Sequence, residues 1–192
     1  MAELHRIFPT MILTSTVDSG IADKVEKLFL ERVQGLPANH EQYSDYSAEE
    51  NKIFDIENDL PDLFEQIILA KDEFVASTGI NTTPNEFEMW TQDYRFKRQG
   101  HGRHNHGVGV SGVYWIRTDE NASPLVFHHP NPVIKLIPKK KETEFSYDTA
   151  NCIPARGKLV LFPSWLDHEV PASLHDGVRS CISFNFPLLT HK

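Results

Sequence analysis

The chain has 192 residues, a formal net charge of −8, 40% hydrophobic residues and 24% charged ones. That length suits one domain with room for a buried core, and the ordinary composition excludes a disordered chain, a collagen-like repeat or a disulfide scaffold. The acidic balance argues against a nucleic-acid partner held through phosphate neutralisation.

From the N-terminus, Phe8 to Thr16 (FPTMILTST) is β-rich and reads as an edge strand with Pro9 near its start. Asp18 and Ser19 then cap a helix whose apolar residues Ile21, Val25, Leu28, Phe29 and Val33 follow helical spacing up to Gly35. Leu36 to Ser47 reads as loop. A second helix is expected over Leu60–Ser77, with Leu60, Phe64, Ile67, Ile68 and Phe74 on one face and Gly79 as its stop. These helices read as a packing layer.

Beyond Phe87 the pattern changes to short apolar or alternating runs broken by Gly, Pro, Asn and Asp. Strands are expected at Glu86–Phe96, Val110–Arg117, Leu125–His128, Val133–Ile137, Cys152–Ile153, Lys158–Phe162 and Ser180–Phe186. Many short strands indicate an antiparallel sandwich or barrel, with the helices against one outer sheet face. GVYWI and KLVLF are apolar on both faces, as strands covered on both sides must be. No run approaches the ~18 apolar residues of a membrane span, and Met1 to Pro9 is too charged for a signal peptide. Two cysteines, Cys152 and Cys181, suit a reducing compartment, so the expected location is cytoplasmic. Lys139–Lys141 is followed at once by Glu142 and Glu144 and reads as a solvated loop.

The chemistry concentrates after residue 100. Seven of the ten histidines lie between His101 and His175, and five of the ten glycines between Gly100 and Gly112. In His104-Asn105-His106, residues two apart on an extended segment face the same way, so both imidazoles can reach one ion. His168 follows the KLVLF strand after a Pro-Ser turn, where a side chain can be presented at a sheet end. Together they make a three-ligand face with open positions, which suits a catalytic metal. Taken alone, that set serves Zn²⁺ in a cupin-like enzyme without 2-oxoglutarate, or a non-catalytic binding module, as well as Fe(II). Arg179 opens RSCISFNF, a run in which Arg179, Cys181, Ser183 and Asn185 share one face. A buried arginine must be paired, either with an internal carboxylate or with a bound dicarboxylate.

The sequence resembles the 2-oxoglutarate/Fe(II)-dependent oxygenases, specifically a bacterial and phage group. The likeness is carried by RIFPT at 6–10, Trp90, Gly100, HNH at 104–106, SGVYW at 111–115, PLVF at 124–127, GKLVLFPSWLDHEV at 157–170 and RSCISFN at 179–185. It implies a mainly β fold with N-terminal helices: a double-stranded β-helix (jelly roll) with helices packed on one sheet. Residues 1–192 would then be a single domain, with 1–85 as helical support and 86–192 as the jelly-roll core. It also implies a non-haem Fe(II) dioxygenase that oxidises a substrate C–H bond while 2-oxoglutarate and O₂ give succinate and CO₂. Ascorbate is an auxiliary reductant in that scheme, and no motif points to one primary substrate. By the resemblance His104 and His168 match iron ligands, and Arg179 matches the residue that binds the distal carboxylate of 2-oxoglutarate. Position 106, a carboxylate in related oxygenases, is histidine here. Either His106 ligates, or it stands aside for water or for a carboxylate elsewhere such as Asp119. Cys181 stands where a serine is usual, with Ser183 able to substitute. Tyr94 and Tyr114 are candidate further contacts, and Trp115 and Trp165 candidate shields of the pocket.

Overall fold

The computed structural model describes residues 3, 9–34, 44–45, 53–82, 87–143 and 146–188. Phe8, Gly35, Glu86 and most of Leu36–Ser47 lie outside them. The helical half begins with β1 (Leu13–Thr16) and α1 (Ser19–Val33). Asp18 caps α1, its carboxylate accepting the Gly20 and Ile21 amides at 2.8 and 3.4 Å. A two-residue strand, β2 (Ser44–Asp45), and a single turn, α2 (Ile56–Asp59), lead to α3 (Pro61–Thr78). Pro61 opens α3 where its missing N–H costs nothing, and Gly79 closes it at φ 72°, its N–H donating to the Val75 carbonyl.

The β half comprises β3 (Glu88–Tyr94), β4 (His101–His104), β5 (Gly109–Thr118), β6 (Leu125–His128), β7 (Thr149–Cys152), β8 (Lys158–Pro163), β9 (His168–Val170) and β10 (Arg179–Pro187). One antiparallel sheet has the order β1-β8-β5-β10-β3-β2 and the other β4-β9-β6-β7. The chain passes repeatedly from one sheet to the other, as a double-stranded β-helix requires.

Alternation along the large sheet divides the core in two. Tyr114, Leu159, Leu161, Ile182 and Phe184 point outward and pack with Phe29, Phe54, Ile67 and Phe74 of the helical layer. Trp115, Val160, Phe162 and Cys181 point inward and meet Leu125, Phe127, Cys152 and Val170 of the smaller sheet. β5 is therefore covered on both faces along Gly109–Ile116, as its unbroken apolar run predicts. β1 is an edge strand, paired to β8 from Leu13↔Leu161 to Thr16↔Lys158.

Two expected strands differ. Val133–Ile137 is not extended: Pro132–Leu136 form a 3₁₀ turn in which the Asn131 side chain accepts the Val133 amide at 3.0 Å. Val133, Leu136 and Ile137 are exposed, so no sheet face recruits them, and Pro132 and Pro138 supply no ladder donor. The strand expected at Cys152–Ile153 lies earlier, at Thr149–Cys152, because β7 pairs with β6 from Leu125↔Cys152 to His128↔Thr149. Among the described residues no helix is long and apolar enough to cross a membrane.

Gly112 is fixed by packing. A Cβ there would stand 2.3 Å from the Phe184 ring and 2.9 Å from the Val160 carbonyl oxygen. Gly112→Ala should destabilise the fold by about 1–3 kcal/mol through overpacking, read as a Tm lowered by several degrees. An unchanged Tm would show that Phe184 can move aside.

Candidate metal centre

β4 and β9 are neighbours in the smaller sheet, and their register sets His104 directly opposite His168. Gly100 permits their approach, since a Cβ there would lie 2.6 Å from the Val170 carbonyl oxygen. His106 sits two residues past the end of β4, its amide donating to the Ser164 carbonyl at 2.9 Å. The HNH segment keeps its extended alternation: His104 and His106 turn inward while Arg103 and Asn105 stay exposed. The three imidazoles converge, with one ring nitrogen from each within 4.8 Å of the others.

Hydrogen bonds orient two of these rings. His168 Nδ1 lies 2.9 Å from the Leu166 carbonyl oxygen, and His104 Nδ1 lies 2.8 Å from that of Gly102. A carbonyl only accepts, so each Nδ1 carries its proton and each Nε2 lone pair is left for a ligand role. His106 packs against Trp90, ring centroids 5.4 Å apart. Desolvation, reinforced by the neighbouring imidazoles, lowers the pKa of His106 and of His168 to about 4. His106 and His168 are thus neutral and ready to donate near pH 7.

A pocket of about 360 Å³, its open mouth included, runs from the triad to Arg179. Arg179 is 3% exposed, pairs with no carboxylate among the described residues, and has an unpartnered Nε. Its guanidinium lies 5.2 Å from the Tyr94 ring centroid and 5.9 Å from that of Trp115, and donates weakly to Cys181 Sγ at 3.4 Å. The internal ion pair that could have explained a buried arginine is absent among the described residues. A buried guanidinium facing a pocket with a free donor fits a carboxylate, and three nitrogen ligands with open positions fit a divalent ion such as Fe(II).

The other residues singled out in the sequence divide. Asp119 is not a metal ligand here: its carboxylate accepts the Asn121 and Val178 amides at 2.9 and 2.7 Å. Tyr114 faces the helical layer, on the side of the sheet away from the pocket. Trp115 is core, and Trp165 is exposed rather than a shield. Ser183, not the fully buried Cys181, reaches the pocket, where its hydroxyl donates to Gln92 Oε1 at 3.4 Å. Gln92 and His101 are pocket residues that the sequence does not single out. His101 stacks on His104 at 4.1 Å, and burial, together with its neighbours His104 and Arg179, lowers its pKa to about 4. Odd-numbered β10 residues face inward and Gln92 pairs with Cys181 across β3, so strand register was the signal that could have found Gln92.

Residues 88–185 match the family model described as "Putative 2OG-Fe(II) oxygenase". A search of curated sequences gives no match. Among solved structures, a Pseudomonas putida prolyl-4-hydroxylase superposes with TM-score 0.56 at 15% identity, covering 94% of this chain and 89% of its own. A Trichoplax adhaerens prolyl hydroxylase, in complex with a hypoxia inducible factor peptide fragment, gives 0.56 at 15%, covering 92% and 82%. HygX from Streptomyces hygroscopicus, with nickel and 2-oxoglutarate bound, gives 0.58 at 10%, covering 95% and 85%. These structures share the fold.

The depressed histidines make stability depend on pH. Between about 4 and the unfolded value of ~6.5, an unfolded chain binds protons that the folded one refuses, so stability falls as pH falls through that window. The Tm of the metal-free protein should drop from pH 7 to 4.5, less steeply in His101→Gln. Identical slopes for variant and wild type would contradict the lowered value for His101.

Proposed function

Because the chain belongs to the 2OG-Fe(II) oxygenase family, we propose that His104, His106 and His168 hold its Fe(II) and that Arg179 binds the distal carboxylate of 2-oxoglutarate. The protein is a non-haem Fe(II) dioxygenase that uses 2-oxoglutarate and O₂ to oxidise an unidentified substrate. One observation supports these residue assignments above the others: a buried guanidinium with no carboxylate partner among the described residues shares one pocket with three convergent imidazoles.

When bound, Fe(II) and 2-oxoglutarate supply the oxidative chemistry, in which 2-oxoglutarate is decarboxylated to succinate. The chain supplies position and exclusion of water. His104 and His168 present Nε2 from opposed strands, and His106 completes the face that a carboxylate completes in related enzymes. Arg179 offers a planar fork to the far carboxylate, and the Ser183 hydroxyl and Gln92 carboxamide add polar contacts beside it. Phe162, Leu125 and Val113 form apolar walls that limit competing water. Residues 1–85 serve this jelly roll as support within one domain. Two buried free thiols support a reducing, cytoplasmic setting.

His168→Ala should abolish binding of one Fe(II) per chain in isothermal titration. His106→Ala should lose most affinity while His106→Asp retains iron, since Asp restores the ligand of related enzymes. If His106→Ala binds iron as wild type does, His106 is no ligand.

Arg179→Ala should keep fold and iron yet weaken 2-oxoglutarate binding by about 30- to 150-fold, the worth of a charge-assisted bidentate contact of roughly 2–3 kcal/mol. Arg179→Lys should recover part of it, because an ammonium lacks the fork. The readout is anaerobic 2-oxoglutarate titration at fixed Fe(II), followed by the charge-transfer band. A large Tm loss with unchanged affinity would assign Arg179 a structural role instead.

A further inference from the structure

Behind the triad, on the outer side of the same two strands, lies a second cluster. Asp167 precedes His168, while Arg103 and Asn105 flank His104. Asp167 Oδ2 accepts from Arg103 Nε and Nη2 at 2.9 and 2.6 Å, and its Oδ1 accepts from Asn105 Nδ2 at 2.7 Å. The Asn105 carboxamide oxygen in turn accepts the Gly107 amide at 3.1 Å. The Asp167 carbonyl accepts the His128 amide at 2.9 Å, which anchors its backbone to β6.

The pattern follows from alternation. In an extended segment, residues 104 and 106 face the pocket, so 103 and 105 face away. Across the strand pair 168 faces the pocket, so 167 faces away, opposite both of them. One carboxylate therefore joins the segment bearing two of the histidines to the residue beside the third. We propose that Asp167 is a positioning residue whose contacts with Arg103 and Asn105 pre-set the spacing of His104, His106 and His168 for metal binding. This rests on the triad being the metal site.

The need for such a clamp is physical. His106 lies beyond the last ladder pair of β4, and the pairing of β4 with β9 is irregular between His101 and His104. Past that pair the bond from the His106 amide to the Ser164 carbonyl fixes the path of the backbone, and the contacts of Asp167 tie the outer side chains of the HNH segment. Surface ion pairs add little to stability, because solvent screens them and ordering long side chains costs entropy. What a forked arginine and a carboxamide on one carboxylate do provide is direction. Groups bonded directly to ligating side chains cost metal sites about 10- to 100-fold in affinity when removed, and Asp167, whose partners flank the histidines, is expected to act within that range.

Metal-free protein titrated with Fe(II), and separately with Co(II) under its d–d absorption, tests this without reference to activity. Asp167→Ala should weaken both metals about 10- to 100-fold and shift the Co(II) bands, while the apo Tm falls by no more than about 4 °C. Asp167→Asn, which keeps an acceptor for Asn105 but loses the charge facing Arg103, should fall between. The losses in Asp167→Ala and Asn105→Ala should not add in the double variant. If Asp167→Ala is too unstable to isolate, Asn105→Ala carries the same test. His168→Ala separates the two readings. Should it lose metal while folded Asp167→Ala and Asn105→Ala stay within twofold of wild type, the clamp is overturned and the triad stands. Should His168→Ala bind metal normally, the triad reading falls and the clamp with it.

Discussion

The site depends on one register. β4 and β9 are short, and their pairing places His104 opposite His168. A slip of β4 by one residue would turn His104 to solvent and bring a neighbour such as Arg103 into the pocket opposite His168, because side chains alternate across a strand. Two features oppose that slip. The close approach of Gly100 to Val170 admits no side chain at one end, and the contacts of Asp167 tie the other. The ligand face is thus a consequence of strand pairing at the end of the smaller sheet.

The larger sheet fixes the other half of the site. β10 is sandwiched between β3 and β5, with Ile182 and Phe184 against the helical layer and Cys181 in the core between the sheets. A strand packed on both faces has little freedom, so the guanidinium at its start is held at a set distance from the triad on the facing sheet. The N-terminal helices act on the site only through this packing. Arg156 extends their hold by pairing with Asp23 and Glu26 of α1.

Much of this was readable from residue pattern. Helical spacing located α1 and α3, and their caps Asp18 and Gly79 are side-chain and glycine signals that act within a few residues. The unbroken apolar runs of β5 and β8 announced burial on both faces. The i, i+2 pair at 104 and 106 gave the geometry of two imidazoles facing the same way, and the third that converges with them came from a histidine after a strong strand. What failed depended on partners distant in sequence. Val133–Ile137 has strand-like residues but no strand to pair with, so Pro132 and Asn131 decide its form. Tyr114 needed a sheet face assigned, which the packing of helices on one side settles. Gln92 and His101 are ordinary residue types whose role comes from standing beside β10 and β9. Asp167 looked like one more acidic surface residue in a chain with 27 of them.

Charge gives the arrangement its direction. The chain carries a net −8, yet among the described residues no Asp or Glu lines the pocket that joins the triad to Arg179. Burial keeps His106 and His168 neutral, so among the described residues Arg179 is the one fixed charge on that lining. An acidic exterior repels anions at long range, and salt screens that repulsion beyond roughly 8 Å. Inside the pocket the balance reverses, since a desolvated guanidinium without a counter-charge gains most from an anion it can grip through two hydrogen bonds. A divalent cation held by three uncharged nitrogens would place a second positive centre at the opposite end. With His106 in place of the customary ligand carboxylate, that end would be one unit more positive. The pocket therefore favours a small molecule with a carboxylate at each end over one with a single charge, which is the charge pattern of 2-oxoglutarate.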